Sequence, residues 1–562
     1  MRLNKHLLLW SSAGSLVVLV WAAFSENVLA DWRRAQAHVA AALPPDAGFQ
    51  VQLRQIVVPA LHTADRCVSC HVGMAPGETG IAGDRIYGKH PAVVHDPAEM
   101  GCTACHAGQG RATTEDDAHG DVPHWPEPMI PVRYAVAGCG SCHSHVEVPS
   151  LTTLQRGREL IGRYDCLSCH RIDGQGGTLR PGGSGGGEGP DLSRIGARGI
   201  PADWYEQHLH ARDLAIAGKG TDTLPWKASV GEVPPADLAG IETYLRSRVG
   251  APALAEAKSL FNTLGCRGCH KVNGVGGDTG PDLSRAGQRD PGLTSFAGVR
   301  GEHTIPNWLA EHFRSPATVV PGSQMPVLGL SEKQIDQLVL YVLSLRRTEA
   351  PESLWPRDRM RALRLGEREF STDGATLYGT FCASCHGQSG EGIRYPGLTA
   401  YPAVGNRDFL AVAPDELLIA TVTHGRPGRA MPAWGEAAGG LRPAEILSVV
   451  KYLRTMGGVP KAEPDPRPAR WVKADPAAGE KLYAANCATC HGSNGQGAEG
   501  LSLNNRVLLA NATDTYFAET IRRGRTGTTM PNFGTGSPAR RALSPGEIEA
   551  IVAFLRTWEE KK

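Results

Sequence analysis

The chain has 562 residues, enough for several domains, and its side chains carry a net charge of only +1 at pH 7. No block of like charge runs along it, which argues against a nucleic-acid-binding protein. Its 68 glycines and 40 prolines predict many loops. The sequence has no Walker loop, dinucleotide fingerprint or hydrolase nucleophile elbow, which argues against those common catalytic classes.

The chain opens with an apolar run of 18 residues, Leu7 to Phe24, which follows Arg2 and Lys5. A run of that length just spans a bilayer, and the positive residues before it place the rest of the chain outside the cytoplasm. We predict an uncleaved signal-anchor over residues 1–30. The alternative is a signal peptide cleaved after Ala30, which would release the chain into the periplasm.

All fourteen cysteines fall into seven Cys-x-x-Cys-His motifs. They are Cys67, Cys70 and His71; Cys102, Cys105 and His106; Cys139, Cys142 and His143; Cys166, Cys169 and His170; Cys266, Cys269 and His270; Cys382, Cys385 and His386; Cys487, Cys490 and His491. A thioredoxin-like pair needs one such motif, a zinc site does not require the histidine, and disulfides would leave seven histidines unexplained. The pattern predicts seven covalently bound haem c groups, each with two thioether bonds and a proximal histidine on the iron.

The spacing of the motifs predicts two kinds of domain. The first three motifs are 35 and 37 residues apart, too little chain for a separate core around each haem. Residues 31–150 should therefore form one compact trihaem module. The last four motifs are about a hundred residues apart, which allows one small domain each. The predicted bounds of these domains are 151–250, 251–350, 366–458 and 474–562.

Each of these four segments opens with a helix that carries a small residue and closes with an amphipathic helix. The small residues are Gly157, Ala257, Gly374 and Gly479. With this pattern, residues 152–562 resemble class I cytochrome c, whose first and last helices cross closely at such a residue. The resemblance implies four class I cytochrome c-like domains. With the N-terminal apolar run and the closely spaced first motifs, we predict an all-α fold that comprises an N-terminal membrane helix, a compact trihaem module and these four domains.

The resemblance also implies partners for the proximal histidines. In class I cytochromes a loop proline offers its carbonyl to that histidine, and Pro190 and Pro281 stand in matching positions. Pro396 is the candidate in the next domain, whereas the last domain has Gly500-Leu501 and no proline there. A methionine before proline ligates the iron from the other side, which implies this role for Met325, Met431 and Met530.

The segment 151–250 departs from this pattern. When Trp204 is aligned with Trp308, Leu224 falls where Met325 stands, and no methionine lies between residues 130 and 324. Haem four is then either five-coordinate or bound by another side chain. His208 aligns with His312, in a domain that already has its methionine, which favours a packing role. His210 is the better candidate ligand.

Residues 62–145 of the trihaem module hold six histidines outside its motifs: His62, His90, His95, His119, His124 and His145. Because its methionines lack the class I context, we predict distal histidine ligands, first His90, His119 and His124, then His95. The pairing of these ligands with haems is not determined by the sequence. Residues 30–150 are also similar to N-terminal regions of membrane-anchored multihaem cytochromes that accompany bacterial quinol-oxidising cytochrome b complexes.

A thioether ligand raises a haem potential relative to a second imidazole, so potentials should rise from the trihaem module to the last domain. We predict an anchored electron carrier on the periplasmic side of a bacterial cytoplasmic membrane. Its donor would be a quinol-oxidising membrane cytochrome complex, and its acceptor a soluble cytochrome c or an oxidase. The alternative is a haem enzyme that reduces peroxide or a nitrogen oxide at an open haem four. No residue beyond the haem sites is predicted to be catalytic.

Overall fold

The fold is described from a computed structural model of the chain. It covers residues 2–91, 93–143, 147–168, 170–177, 189–198, 200, 204–205, 208, 233–249, 251–346, 350–396, 400–460 and 465–560. His145, Cys169, His210 and Leu224, which the sequence singles out, lie outside these residues.

The described residues are mainly helical, which confirms the predicted fold class. Strands among them form two short antiparallel ribbons, Ile56–Val58 with Thr63–Asp65 and Arg171–Ile172 with Gln175–Gly176. The α-helices are Arg2–Val28, Asp31–Ala42, Pro97–Met100, Thr103–His106, Glu115–His119, Leu151–Arg163, Pro235–Ser247, Pro252–Thr263, Ile305–Arg314, Pro316–Val319, Glu332–Ser344, Arg357–Leu365, Gly374–Phe381, Ala383–His386, Arg407–Val412, Asp415–His424, Pro443–Gly457, Pro476–Asn486, Ala488–His491, Arg506–Asn511, Asp514–Arg523 and Pro545–Glu560.

The chain divides into two compact units. The first comprises residues 1–144, 285–312 and 339–365, and the second comprises residues 145–284, 313–338 and 366–562. The predicted domain 251–350 therefore contributes residues to both units.

The helix Arg2–Val28 begins the first unit and is exposed from Asn4 to Phe24. Its most apolar stretch of 18 residues has a mean hydropathy of 2.0, and none of that stretch is buried. By length and composition this helix could cross a membrane, although a signal sequence near an N-terminus meets the same criteria.

The trihaem region of the first unit has a small apolar core formed by Ile56, Val58, Val68 and Ala75. A buried carboxylate supplements it. Asp65 is 1% exposed and accepts hydrogen bonds from the backbone N–H groups of Cys102, at 2.5 Å, and Thr103, at 3.0 Å. These amides begin the short helix of the second motif, so Asp65, just before Cys67, fixes the second motif against the first.

In the second unit, first and last helices cross within three of the predicted segments. Leu151–Arg163 packs on Pro235–Ser247, Gly374–Phe381 on Pro443–Gly457, and Pro476–Asn486 on Pro545–Glu560. A Cβ atom added at the glycine of each first helix would meet the backbone of the last helix. The Cβ of residue 157 would lie 2.5 Å from the Gly240 carbonyl oxygen, that of residue 374 would lie 2.2 Å from the Ser448 oxygen, and that of residue 479 would lie 1.9 Å from the Ala550 oxygen. The glycines thus permit the close crossing that the sequence predicts.

The last two segments pack on one another through corresponding helices. Arg407–Val412 contacts Asp514–Arg523, and Asp415–His424 contacts Arg506–Asn511. Each segment contributes two successive helices, and the first helix of each segment packs on the second helix of the other. Buried side chains from both segments belong to one apolar cluster, which includes Leu417, Trp434, Leu508 and Phe517.

Candidate haem sites

Each Cys-x-x-Cys-His motif forms a single helical turn. In all seven, the histidine N–H donates to the carbonyl of the first cysteine, at 2.9 to 3.0 Å. Positions i, i+3 and i+4 of such a turn lie on one face, so in the six motifs that are described throughout, the two cysteines and the histidine share one side. The cysteines in the described part of the chain form no disulfide bonds. This arrangement suits two thioether bonds to one porphyrin and one axial ligand to the iron at its centre.

A backbone carbonyl sets the tautomer of most of the proximal histidines. Nδ1 of His170 lies 2.8 Å from the Pro190 oxygen, and Nδ1 of His270 lies 2.9 Å from the Pro281 oxygen. Because a carbonyl only accepts hydrogen bonds, Nδ1 carries the hydrogen and Nε2 keeps its lone pair for a metal ion. The two prolines are those that the class I resemblance implies.

The expectation for Pro396 is wrong. Nδ1 of His386 lies 2.9 Å from the carbonyl oxygen of Pro402 instead. In the last segment, Nδ1 of His491 lies 2.7 Å from the Leu501 oxygen, so the contact forms without a proline. Any residue has a carbonyl, and the path of the loop decides which one reaches the ring.

Burial keeps several proximal imidazoles neutral. It lowers the pKa of His270, His386 and His491, and the carbonyl hydrogen bond on each ring opposes this only in part. The pKa of His106 is also lowered, first by burial and then by His90. An imidazole must be neutral to bind a metal ion, so these environments favour the ligating form.

Three proximal histidines of the first unit each face one further histidine. The ring centroids of His71 and His119 are 6.5 Å apart, and those of His106 and His90 are 6.1 Å apart. The ring of His95 lies 6.3 Å from that of His143. Of the four histidines that the sequence favours, these three are brought opposite a motif and His124 is not; His124 is exposed, with φ at 69°.

These separations match two ligands of one iron. A metal–imidazole bond is about 2 Å long, so two nitrogens on opposite sides of a metal ion are about 4 Å apart. The ring centroids then lie further out by the radius of each ring. The pairs are too far apart for direct contact, and each leaves room for one metal ion between its rings.

In the second unit, His208 faces the proximal His170. Their ring centroids are 6.2 Å apart, and the His208 ring stacks on Trp204 at 4.6 Å. The sequence favoured a packing role for His208 and gave His210 preference. The spacing of four residues between Trp204 and His208 puts both on one helix face, but the same spacing recurs at Trp308 and His312, so the sequence alone could not favour His208.

Met431 and Met530 occupy equivalent loops. The helices before them, Asp415–His424 and Asp514–Arg523, are each followed by a glycine, Gly425 and Gly524, with φ at 62° and 66°. The next residues, Arg426 and Arg525, donate their backbone N–H to the carbonyls of Met431 and Met530, at 2.8 and 3.0 Å. Both methionine side chains are half-buried, and so is that of Met325, whose backbone N–H donates to Oγ of Ser323 at 3.2 Å.

Neighbouring motifs touch within each unit. The side chains of Cys67 and Cys102 lie next to each other, and so do those of Cys269 and Cys385. Gly268, inside the fifth motif, leaves no room for a side chain, because an added Cβ would lie 2.1 Å from Oγ of Ser384 in the sixth. Haems bonded to such motifs would lie side by side.

The last two segments hold arginines suited to haem propionates. A cavity of about 360 Å³ beside Met431 is lined by Arg426, Arg429 and Arg506, among others. Burial lowers the pKa of Arg426, with Arg429 and Arg525 nearby. Nε of Arg525 is buried without a hydrogen-bond partner in the described structure. Carboxylates are the complementary groups for such guanidinium clusters, so the residues present fit a haem.

Comparisons with known proteins agree with this geometry. Residues 154–248 and 254–346 match the family model of cytochrome c. Residues 371–453 and 474–555 match the family model of cytochrome c oxidase, cbb3-type, subunit III. Together the matches cover the four segments that the sequence predicts to be class I domains.

Curated relatives include oxidase subunits. The chain is 30% identical over 195 residues to the cbb3-type cytochrome c oxidase subunit FixP of Bradyrhizobium sp. (strain ORS 278), which is 33% of this chain and 59% of that protein. It is also 30% identical over 196 residues to subunit CcoP of Rhodobacter capsulatus, 33% of this chain and 61% of that one. The chain thus spans about three fifths of these relatives. A chain of the Kuenenia stuttgartiensis reducing HAO-like protein complex aligns over 33% of this chain and 94% of its own, at 19% identity and with a TM-score of 0.22.

The helical fold, the haem-attachment turns and the family matches define a multihaem c-type cytochrome with tandem class I domains. More particularly, the chain is an electron-transfer cytochrome related to the FixP and CcoP subunits of cbb3-type oxidases.

Proposed function

We propose that the chain is a heptahaem electron carrier with the trihaem module and the four domains bounded as the sequence predicts. The observation that carries this proposal is the contact between neighbouring motifs: Asp65 accepts a hydrogen bond from the backbone N–H of Cys102, and the backbone of Gly268 lies against the side chain of Ser384. Haem c supplies reversible one-electron exchange at iron when bound. The residues of the chain fix the tautomer of most proximal ligands, hold neighbouring sites side by side and provide cations for the propionates.

The second axial ligands follow two schemes. In the first unit we assign His119 to the haem of His71, His90 to that of His106 and His95 to that of His143, from the opposed rings. In the class I domains we assign Met325, Met431 and Met530, from their position before proline and the matched loops of the last two. His124 is exposed, and we assign it no haem.

We place the carrier on the periplasmic side of a bacterial cytoplasmic membrane, held by the helix Arg2–Val28. The electron donor in this proposal is a quinol-oxidising membrane cytochrome complex, and the acceptor is a soluble cytochrome c or an oxidase. The relation to oxidase subunits and the apolar helix support this assignment. Imidazole pairs at the donor end and thioethers at the acceptor end make the transfer downhill.

The full-length holoprotein in detergent tests the proposal. Intact mass should show seven haems, and a quinol should reduce the protein only when a purified quinol-oxidising cytochrome bc complex is added. The reduced protein should then reduce ferric horse cytochrome c. Fewer than seven haems, or turnover of peroxide or nitrite at the expense of transfer to cytochrome c, would contradict it.

A further inference from the structure

We propose that His208 is the sixth ligand of the fourth haem iron, opposite His170. This inference rests on the haem proposed at the fourth motif. It extends the function by closing the iron of the class I-like domain that has no methionine ligand. It replaces the open site that a haem enzyme would need with a fourth histidine-paired electron-transfer site.

The geometry of the two rings carries the assignment. The centroids of His170 and His208 are 6.2 Å apart, inside the range of 6.1 to 6.5 Å of the three pairs in the first unit. Their planes meet at 58°, between the 30° and 64° found for those pairs. Four pairs in unrelated local settings share one separation, which is the separation that a metal ion between two imidazoles requires.

Both rings of the fourth site are held in place. Nδ1 of His170 lies 2.8 Å from the Pro190 oxygen. A Cβ added on Gly189 would lie 2.3 Å from Cε1 of the ring, so the loop backbone packs against the imidazole and leaves no room for a side chain. The His208 ring lies flat against Trp204, with an angle of 11° between the planes. Trp204 in turn meets the buried Tyr205 edge-on at 5.4 Å. An imidazole fixed by stacking loses little freedom when it binds a metal ion.

The next segment provides a matched comparison. In the predicted domain 251–350, His312 stacks on Trp308 at 5.0 Å with an angle of 7° between the planes, so the pair formed by Trp204 and His208 recurs there. The segment of His312 carries Met325, whereas the segment of the fourth motif has Leu224 at the aligned position. The same local pair therefore occurs once with a methionine available and once without, and His312→Ala becomes the control for His208→Ala.

Carbon monoxide binding to the dithionite-reduced, full-length holoprotein tests the inference. The wild type should bind none. The His208→Ala variant should bind one equivalent per chain and gain a high-spin ferric signal, because its fourth iron loses a ligand. The variants His312→Ala and His210→Ala should behave as the wild type. The assignment would be overturned if the wild type or His210→Ala binds carbon monoxide. It would also be overturned if His208→Ala binds none.

A second variant covers failure of the alanine variant to fold. The His208→Met variant keeps a ligand at this position, and its near-red band of ferric methionine-ligated haem should grow from three haems' worth to four. An unchanged band would refute the role of His208. Haem counting by mass separates the two levels of the argument: seven haems with unchanged coordination refute only this ligand, whereas an unmodified fourth motif refutes the haem beneath it as well.

Discussion

The carboxylate of Glu369 joins three parts of the second unit. Its Oε2 lies 3.1 Å from Nζ of Lys258 and accepts from Nδ2 of Asn273 at 3.2 Å, while Oε1 accepts from Arg267. The side chains of Lys258 and Arg267 are buried. Burial by itself would raise the pKa of Glu369, but the two cations outweigh it and hold the pKa at about 2.

We expect Glu369→Gln to destabilise the second unit by about 3–5 kcal/mol, because it removes the carboxylate that contacts two buried cations. The folded pKa is below the ordinary value of 4.5, so the stabilisation is complete above pH 4.5 and is lost as the pH falls towards 2. Urea unfolding between pH 3 and 7 would measure both effects. Glu499→Gln is the control, since the Glu499–Arg394 pair is exposed. Equal stability of Glu369→Gln and the wild type at pH 7 would contradict the expectation.

Two glycines of one helix test how closely the first and last helices cross in the predicted domain 366–458. In Gly374–Phe381, a Cβ on residue 374 would lie 2.2 Å from the Ser448 oxygen and 2.7 Å from Cβ of Tyr452. A Cβ on residue 379 would meet nothing within 4 Å. Gly374→Ala should therefore cost about 1–3 kcal/mol through overpacking. Gly379→Ala should gain about 0.5–1 kcal/mol, because alanine loses less backbone entropy in a helix. The midpoints of urea unfolding give both values, and a Gly374→Ala variant as stable as Gly379→Ala would show that the helices are not in close contact.

At the scale of elements, the sequence predicts what depends on residue type. A helix crossing at close range requires a small residue, so the crossings at Gly157, Gly374 and Gly479 could be predicted from residue type. The carbonyl partner of His386 could not, because every residue carries a carbonyl and only the loop path selects Pro402 over Pro396. The pairing of His90 with His106 is equally a matter of tertiary placement, since nothing in the local sequence of either residue specifies the other.

For the whole molecule, the ligand assignments predict two groups of potentials. Four sites would have paired imidazoles and three would have a thioether, and a thioether favours the reduced iron. A spectroelectrochemical titration of the holoprotein should therefore separate a lower group of four haems from a higher group of three. One continuous distribution, with no division in that ratio, would contradict the assignments.

One methionine can move a haem between the groups. Met431→His should lower one potential of the higher group by on the order of 0.1 V, within the range of about 0.8 V that axial ligands cover. Met456→Leu is the matched control, because Met456 is a half-buried methionine of the same segment whose Sδ lies beside Gly390, where it fills space in the core. Both variants should retain seven haems. If one haem moves from the higher to the lower group of potentials in Met431→His and none moves in Met456→Leu, the thioether of Met431 sets the high potential of its haem. Transfer to ferric cytochrome c should then slow in Met431→His alone, because the last steps would no longer run downhill.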